Sequence, residues 1–522
     1  MEIIVKYSGA FVDLLSEAAQ LGTLRAENLG QGYAIVDWDG AADQLYTVPA
    51  IEDIEMPREI FLNDDGLSGN CNESAVFRAQ RFSGKGVLVG IIDTGVDYTS
   101  SEFRTADGKS RIAALWDQTA AGTAPEGVLS GAEYVQEQIN EALLSGNPFS
   151  YIARTDASGH GTAVAGIAAG STLGRAYQSE LIVVRVSRSS TEQTLTTSLM
   201  RGVRYVIDTA RRLRKPVAVN ISYGMNEGSH RGDSLFERYL TAVAGEWKTT
   251  ITVALGNEAS AGHHYSGFMR SGEVQSIPFF TAALNGSFYL SIWKNYTDRL
   301  SAELLLPDGS STGVINRFSS RTSIRAGELF VTAFYGQPTQ RSVFQEIFFD
   351  IRPLEGRIPA ALWTLRLTAE EIVSGRVDVW LPTTEQVTTA TRFVNPDEEL
   401  TMTIPSTADR ILRVGGYDRR TDAIASFSGK GISCPEGIYP DVAASAVDVP
   451  APTLSGGIGS FTGTSFAAPQ VTGLAAQLME WGIVCGNAPF MYGEKVKAEI
   501  RLLARRSRSI PYPDIAYGYG LI

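Results

Sequence analysis

The segment that decides the fold of this 522-residue chain is GSFTGTSFAAPQVTGLAAQLMEW, residues 459–481. A glycine-rich turn, residues 459–464, leads to Ser465, and apolar residues at helical spacing follow from Val471 to Leu478. The pattern predicts that Ser465 lies at a helix N-terminus, where free backbone N–H groups and the helix dipole favour negative charge. A serine at this place either caps the helix or acts as a nucleophile whose reaction creates an oxyanion. The motif G-T-S-x-A-A-P is narrower than a serine before a helix, so the second alternative requires a base, an acid and an oxyanion donor elsewhere.

The composition bounds the class of protein. Hydrophobic residues make up 44% of the chain and charged residues 20%, as in soluble globular proteins, and the length suits roughly two to four domains. A formal net charge of -12 disfavours a nucleic-acid partner. Neither a basic amphipathic segment nor an apolar run of about 18 residues indicates a membrane. The start, MEIIVKYS, lacks the basic and apolar regions of a signal peptide, so we expect synthesis in a bacterial cytoplasm without export through such a peptide.

The three cysteines, Cys71, Cys434 and Cys485, are far apart and odd in number. They suit a reducing compartment and predict neither a disulfide framework nor a zinc site.

Residues 1–57 show the element order β-α-β-β-α-β of a ferredoxin-like unit. Strands are predicted at 2–7, 23–28, 32–39 and 51–56, and helices at 11–20 and 41–46. This unit is either a separate domain or an N-terminal subdomain of the main fold. Residues 58–85 contain two turn-forming runs, NDDG and SGN, and are predicted to be a linker and the start of the main domain.

Two apolar strands end on polar side chains. The run GVLVGIID, residues 86–93, predicts a strand of a parallel sheet buried on both faces, and its last residue is Asp93. Open α/β sheets hold active sites at this end of their strands. A second strand, 249–255, leads to Asn257, whose side-chain amide suits an oxyanion that forms only during a reaction. Taken singly, Asp93 also fits a turn or helix cap, and Asn257 an Asx-turn.

The only histidine flanked by glycines on both sides is His160, in DASGHGTAVAG, residues 156–166. The glycines leave the imidazole accessible at the start of a small-residue helix that we expect to end near residue 169. The residue is either a base or a helix cap. Further buried strands are predicted at 181–186 and 216–222, with a helix at 195–213. Two strand ends are predicted to bind substrate, through Ser222, Tyr223, Gly224, Leu255 and Gly256.

Strand–helix alternation stops between residues 266 and 400. Strands are predicted at 288–293, 300–306, 329–335, 344–351, 362–367 and 377–381, which is typical of an inserted β-sandwich. The α/β pattern returns at 411–414 and ends in a helix predicted at 493–508. We interpret the arginines of that helix as a solvated face; they are Arg501, Arg505, Arg506 and Arg508.

Together these residues match what acyl transfer by a serine requires. Ser465 attacks a carbonyl, His160 accepts and returns the proton, and Asp93 orients the imidazole. Asn257 and the backbone N–H of Ser465 form the oxyanion hole. The chain order Asp…His…Ser is the subtilisin order.

Four blocks in this order resemble the signature blocks of subtilases, the subtilisin-like serine proteases of peptidase family S8. They are IIDTGVD at 91–97, GHGTAVAG at 159–166, ALGNE at 254–258 and GTSFAAP at 463–469. The resemblance implies an α/β fold with a parallel sheet in two parts, 86–265 and 401–522. It also implies a serine endopeptidase that acts on protein or peptide substrates.

A second set of motifs is similar to the clade of clostridial Csp germination proteases. The motifs are LWDQ at 115–118, GSHRGDS at 228–234, GHHYSG at 262–267 and IPSTA at 404–408. This resemblance implies that residues 1–57 are a prodomain acting as intramolecular chaperone and inhibitor, cut off between about residues 46 and 65. It implies a jelly-roll insert at 266–400, limited proteolysis of a pro-enzyme such as a spore cortex-lytic hydrolase, and incorporation into spores. Two alternatives to limited proteolysis are general peptide degradation and a scaffold that is locked by its prodomain and binds or senses a partner.

The chain departs from the subtilase pattern at three places. Ala163 stands where a histidine is usual, Ala444 to Ala446 replace Ala-Pro-Gly, and Ala259 replaces a glycine. The second change lies in the loop near the nucleophile helix. By the resemblance His230, His263 and His264 are structural, no cofactor is required, and a structural calcium has no ligand cluster to support it.

Overall fold

A computed structural model describes residues 1–19, 21, 24–63, 67–69, 82–186, 194–319, 321–433, 437–454 and 456–522. Cys71 and Cys434 lie outside the described residues, and Cys485 is exposed and unbonded. Among the described residues, no helix combines the length and apolarity needed to span a bilayer.

A nine-stranded sheet forms the centre of the molecule. Seven of its strands are parallel, and a short antiparallel strand lies at each edge. In spatial order the strands are Ala423–Ile424, Leu412–Asp418, Thr249–Ala254, Val217–Ile221, Leu88–Asp93, Glu180–Arg185, Ile112–Asp117 and Ala132–Val135, with Val442–Ser445 also paired to Leu412–Asp418. All six residues of Leu88–Asp93 are buried, as expected for a strand covered on both faces.

Helices cover both faces of this sheet and define two cores. One face carries Thr196–Arg212 and Leu235–Val243. The other carries His160–Ala169 and Thr464–Met479, which pack against each other. Outside the N-terminal unit, the other helical segments of the described residues are Ser101–Phe103, Gln136–Leu144, Pro148–Ser150, Thr384–Val387, Glu480–Val484 and Glu494–Leu503.

The N-terminal unit is a four-stranded antiparallel sheet with the helix Phe11–Ala18 and a 3₁₀ helix, Ala42–Thr47. Its strands in spatial order are Leu24–Gly30, Tyr33–Trp38, Glu2–Tyr7 and Ile51–Glu55. One face builds a small core of its own, and the other packs on the main domain, where the Tyr33 and Tyr239 rings lie 5.5 Å apart. The observed element order is the predicted one, with a 3₁₀ helix in the second helical position.

The insert consists of two antiparallel sheets around one apolar core. The six-stranded sheet runs His264–Phe268, Arg376–Trp380, Phe288–Asn295, Phe344–Pro353, Leu329–Tyr335 and Arg321–Ala326. The four-stranded sheet runs Arg299–Leu305, Ala361–Glu371, Val274–Thr281 and Arg392–Phe393. All six strands predicted from sequence are present, and the first strand begins two residues before the predicted boundary at 266.

Two three-stranded sheets involve the segment predicted to be a linker. One contains Thr194–Leu195, Glu59–Leu62 and Tyr223–Gly224; the other contains Val449–Pro452, Ile458–Phe461 and Leu67–Gly69. Residues 59–62 and 67–69 are therefore not connecting chain, because they add strands to edges of the main domain.

The last helix is shorter than predicted, and the prediction of a solvated face is wrong for Arg501, whereas Arg505, Arg506 and Arg508 are exposed. The helix ends at Leu503, so Arg505, Arg506 and Arg508 follow it. Arg501 donates from Nε to Oδ1 of Asp441 at 2.7 Å, and Asp441 is fully buried. A buried carboxylate needs such a partner, which the sequence pattern does not reveal.

We predict that Arg501→Ala lowers the free energy of unfolding by about 2 kcal/mol, because it removes a charged donor from a buried acceptor. The loss stays partial since Lys497 Nζ lies 3.4 Å from Asp441 and the Arg413 N–H donates to it at 2.8 Å. Urea unfolding of both variants in a Ser465→Ala background measures this. The exposed Arg508→Ala is the control, and equal losses in the two variants would contradict the assignment.

The buried carboxyl group of Glu237 should make the free energy of unfolding depend on pH. Its carboxylate is fully buried, accepts from Ser234 Oγ at 2.6 Å, and has its pKa raised to about 7 by burial and by Asp233. A carboxyl whose pKa is higher in the folded chain than in the unfolded chain stabilises the fold fully at pH values below its unfolded pKa, here 4.5. This stabilisation is lost as the pH rises through the folded-state pKa of about 7.

Between pH 5 and pH 8 we therefore expect the Ser465→Ala protein to lose about 2 kcal/mol more than its Glu237→Gln derivative. Urea titrations of the two proteins at several pH values measure the difference. Parallel profiles would show that Glu237 titrates alike in the folded and unfolded chains.

Candidate active site

The site lies where three neighbouring parallel strands end. Leu88–Asp93, Val217–Ile221 and Thr249–Ala254 are adjacent in the sheet, so their carboxyl ends bring Asp93, Ser222 and Asn257 to one edge. Helices supply the other two groups, because His160 and Ser465 occupy first turns at this same edge. Residues far apart in sequence thus meet because the sheet is parallel.

Asp93 and His160 are in direct contact. The distance from Nδ1 of His160 to Oδ1 of Asp93 is 2.7 Å, and both side chains are buried. Oδ1 also accepts from the backbone N–H of Thr94 at 2.7 Å, which fixes the carboxylate. A bond at Nδ1 orients the ring and assigns proton transfer to Nε2.

Asp156, which sequence reasoning did not select, holds the helix that begins at His160. Its Oδ2 accepts from the N–H of Thr162 at 2.9 Å, and its Oδ1 accepts from the N–H of Gly159 at 2.9 Å. Oδ1 also accepts from Thr94 Oγ1 at 3.1 Å, next to Asp93. The signal was present, since an aspartate just before a helix is a typical capping residue.

Gly161 explains why this helix start needs small residues. A Cβ at this position would lie 2.1 Å from the backbone oxygen of Gly95. The helix therefore approaches the Asp93 strand end more closely than any side chain allows, which brings the imidazole within reach of the carboxylate.

Ser465 is buried in the first turn of its helix. Its hydroxyl donates to the carbonyl of Ser222 at 3.2 Å. The next residue, Phe466, packs on the base, with 5.3 Å between the ring centres of His160 and Phe466. The helix N-terminus thus brings the serine and its backbone N–H close to the base.

Within the part of the chain that the structure describes, the side-chain amide of Asn257 is held by hydrogen bonds at its oxygen but not at its nitrogen. Its Oδ1 accepts from the backbone N–H of Thr464 at 3.0 Å and from Thr464 Oγ1 at 2.9 Å. Its Nδ2 is buried and has no hydrogen-bond partner among the described residues. A fixed amide with an unused N–H is the donor that a developing oxyanion requires.

A segment of the chain itself occupies the cleft. Glu59–Leu62 pairs antiparallel on one side with Tyr223–Gly224 and on the other with Thr194–Leu195. Asn63 donates its N–H to Ser222 at 2.9 Å, and its carbonyl accepts from the N–H of Ser465 at 3.3 Å. A carbonyl carbon of the main chain is thus presented to the serine.

Three of the five predicted substrate-binding residues contact this segment. Ser222 and Tyr223 pair with it, and Gly224 leaves room for it, since a Cβ there would lie 2.4 Å from Oδ1 of Asn63. Leu255 and Gly256 are packed instead against Thr403 and Thr464.

The other three histidines lie where the main domain meets the insert. His263 Nδ1 is 2.5 Å from Glu258 Oε2; burial raises the pKa of this carboxyl, but His263 and Thr384 outweigh it and hold the pKa below its usual value. The rings of His230 and His264 both stack on Trp380, with ring centres 4.3 and 4.7 Å from it. Among the described residues, no group of three or more His, Cys, Asp or Glu is arranged to hold a metal ion.

The unusual segment from Ala444 to Ala446 supports the nucleophile turn. Ala446 accepts at its carbonyl from the N–H of Gly463 at 2.9 Å, two residues before Ser465. Ala163, which replaces a usual histidine, is fully buried in the helix that begins at His160.

Comparison with known proteins gives one family. The model of the subtilase family matches residues 84–278 and 389–520. Among solved structures, the CspB protease of Clostridium perfringens is 33% identical, with a TM-score of 0.78 over 86% of this chain and 93% of that one. Fervidolysin from Fervidobacterium pennivorans, at 14% identity and a TM-score of 0.53 over 100% of this chain and 60% of that one, shares the fold.

Among curated proteins, subtilisin-like protease 9 of Arthroderma benhamiae is 31% identical over 144 residues, or 27% of this chain and 33% of that protein. The chain thus spans about a third of the length of the curated relatives it matches.

We predict that Asp156→Ala lowers the free energy of unfolding by about 2 kcal/mol and slows the labelling of Ser465 by a fluorophosphonate at least tenfold. The carboxylate accepts from the first turn of the helix that carries His160, so its loss displaces the base. Urea unfolding and the labelling rate, read by mass spectrometry, test this prediction. The exposed Asp43→Ala is the control, and unchanged labelling in Asp156→Ala would remove its positioning role.

Proposed function

This chain belongs to the subtilase family, and from that premise we propose that it is a serine endopeptidase that hydrolyses peptide bonds through Asp93, His160 and Ser465. The observation that carries the proposal is the contact between Nδ1 of His160 and Asp93, on the same sheet edge as a serine at a helix N-terminus. The unused Nδ2 of Asn257 supplies the fourth group that acyl transfer requires.

The geometry supports the following sequence of steps. The Ser465 hydroxyl turns from the Ser222 carbonyl to Nε2 of His160, gives it the proton, and forms a bond to the substrate carbonyl carbon. The resulting oxyanion accepts from the Ser465 N–H and from Nδ2 of Asn257. His160 then protonates the leaving amine as the C–N bond breaks, and water repeats the exchange to release the acyl group.

We further propose that the protein is made as a zymogen whose N-terminal unit is a prodomain and whose insert is a jelly roll. The scissile bond is Asn63–Asp64, inside the window expected from the sequence. Support comes from the Asn63 carbonyl, which accepts from the Ser465 N–H at 3.3 Å, and from the strand pairing of residues 59–62 and 67–69 on both sides of this bond. A substrate strand bound in this way is positioned for attack.

The physiological reaction that we propose is limited proteolysis of a protein substrate. The likeness to the CspB protease over 93% of that chain supports a related role, such as activation of a spore cortex-lytic pro-enzyme. A general degradative protease would need its cleft emptied of residues 59–63, which make main-chain hydrogen bonds there.

One observation favours a second candidate, a prodomain-locked scaffold that binds or senses a partner. The segment 59–63 fills the cleft, so a chain that retained it after cleavage would be closed to other substrates. The two candidates differ in whether Ser465 reacts.

Intact-mass spectrometry of the recombinant wild type beside Ser465→Ala tests the proposal. We expect wild type as two fragments, 1–63 and 64–522, and the mutant as one chain, because loss of the nucleophile slows such reactions by about 10⁶-fold. Ser460→Ala, in the strand that precedes the nucleophile helix, is the control and should be cut.

A wild type that stays whole and does not react with a fluorophosphonate would favour the locked scaffold. A cut at another bond would retain the protease and reject Asn63–Asp64.

A further inference from the structure

A cavity of about 770 Å³ lies between the insert and residues 57–61. One wall is the six-stranded sheet of the insert, which presents Phe330, Phe334 and Phe348. Their neighbours along the strands, such as Val331 and Phe349, are buried in the sandwich core, so the three rings lie on the sheet's other face. The opposite wall includes Glu59 and Phe61 of the segment in the cleft.

The side chains of the strand Glu59–Leu62 point alternately toward the main domain and toward the insert. Ile60 and Leu62 are buried in the core of the main domain. Glu59 and Phe61 alternate with them and face the insert, and Phe61 is only 4% exposed. Phe61 is thus buried on the side of the strand that faces the insert, whereas Glu59 lies at the exposed rim of the cavity.

Charge and an unused polar group mark the same cavity. Arg352 and Asp350, paired at 2.6 Å on the sheet, line the cavity together with Glu59; burial raises the pKa of the Glu59 carboxyl, and the charge of Arg352 opposes this rise. Tyr289, which stacks on Phe348 at 5.4 Å, also lines the cavity; its hydroxyl is buried without a hydrogen-bond partner among the described residues. The space therefore offers an aromatic wall, a cation and a free hydroxyl.

We propose that the insert forms substrate subsites for the third and fifth residues before the scissile bond, with Phe348 and Arg352 as specificity-determining residues. The third position takes a bulky apolar side chain, as Phe61 is, and the fifth an acidic one, as Glu59 is. The assignment of Phe61 and Glu59 to the third and fifth positions rests on the proposed function, because positions are counted back from the proposed scissile bond Asn63–Asp64. The insert thereby selects substrates by residues that lie away from the reacting bond.

The charge exchange gives the sharpest test. Full-length variants are made by cell-free synthesis, and the rate of self-cleavage is followed by intact mass. We expect Glu59→Lys and Arg352→Glu each to slow cleavage about threefold, and the double variant to return to within about twofold of wild type. Arg299→Glu, an arginine of the insert that pairs with Glu371 outside the cavity, should leave the rate unchanged.

The aromatic wall is tested in the same assay. We expect Phe61→Ala and Phe348→Ala each to slow cleavage about tenfold, and the double variant to be no slower than the slower single one, because both side chains line the same proposed subsite. Phe61→Trp should stay near the wild-type rate, since the cavity has room. Phe318→Ala, an insert residue that is 81% exposed, is the control.

Wild-type rates in the Glu59, Phe61 and Arg352 variants, or effects that multiply in the double variants, would overturn the subsites while leaving the protease. A wild-type chain that is never cut would instead overturn the proposed function, and the subsites with it. Thermal unfolding in a Ser465→Ala background separates slow cleavage from misfolding, and recovery in the charge-exchanged double variant requires a folded chain.

Discussion

Two hydrogen bonds from Thr464 to Oδ1 of Asn257, at 3.0 and 2.9 Å, hold the site together. They fasten the first turn of the Ser465 helix to the end of a central strand, and they leave Nδ2 of Asn257 as the free donor. The same helix packs on the helix that begins at His160, which is fixed to Asp93 in turn. The four groups thus depend on one set of helix–strand contacts at the carboxyl edge of the sheet.

The N-terminal unit and the insert both act on the segment in the cleft. Arg58, just before that strand, lies 3.3 Å from Glu227 of the main domain and 3.9 Å from Glu346 of the insert. Arg341 of the insert reaches Asp53 at 2.6 Å and Glu55 at 3.3 Å in the last strand of the N-terminal unit. Burial raises the pKa of Glu227 despite the opposing charge of Arg58, so bringing these charged groups together at the junction has a desolvation cost.

The insert and the central sheet contact different parts of the site. The sheet and its helices bring the reacting groups together, whereas the insert faces alternate side chains of the bound strand through Phe348 and Arg352. A β-strand presents neighbouring side chains to opposite sides, so a second domain can contact one side without disturbing the other. Reaction and selection can therefore change separately in such a protein.

The sequence alone determined the α/β class, the inserted sandwich and the positions of Asp93, His160, Asn257 and Ser465. Those features follow from local patterns: continuous apolar strands that end on polar residues, small residues around His160, and a glycine turn before an apolar helix. The contacts of other side chains are not local in sequence. The sequence therefore does not reveal that Asp156 binds the first turn of the His160 helix or that Arg501 pairs with a carboxylate, because a buried carboxylate and an exposed one look alike in sequence.

Only the tertiary structure decided what residues 59–63 do. Turn-forming residues after them predicted a linker, yet their backbone groups pair with two strand edges more than a hundred residues away. Strand pairing is set by unpaired N–H and C=O groups on those edges, and no pattern within the segment reveals it.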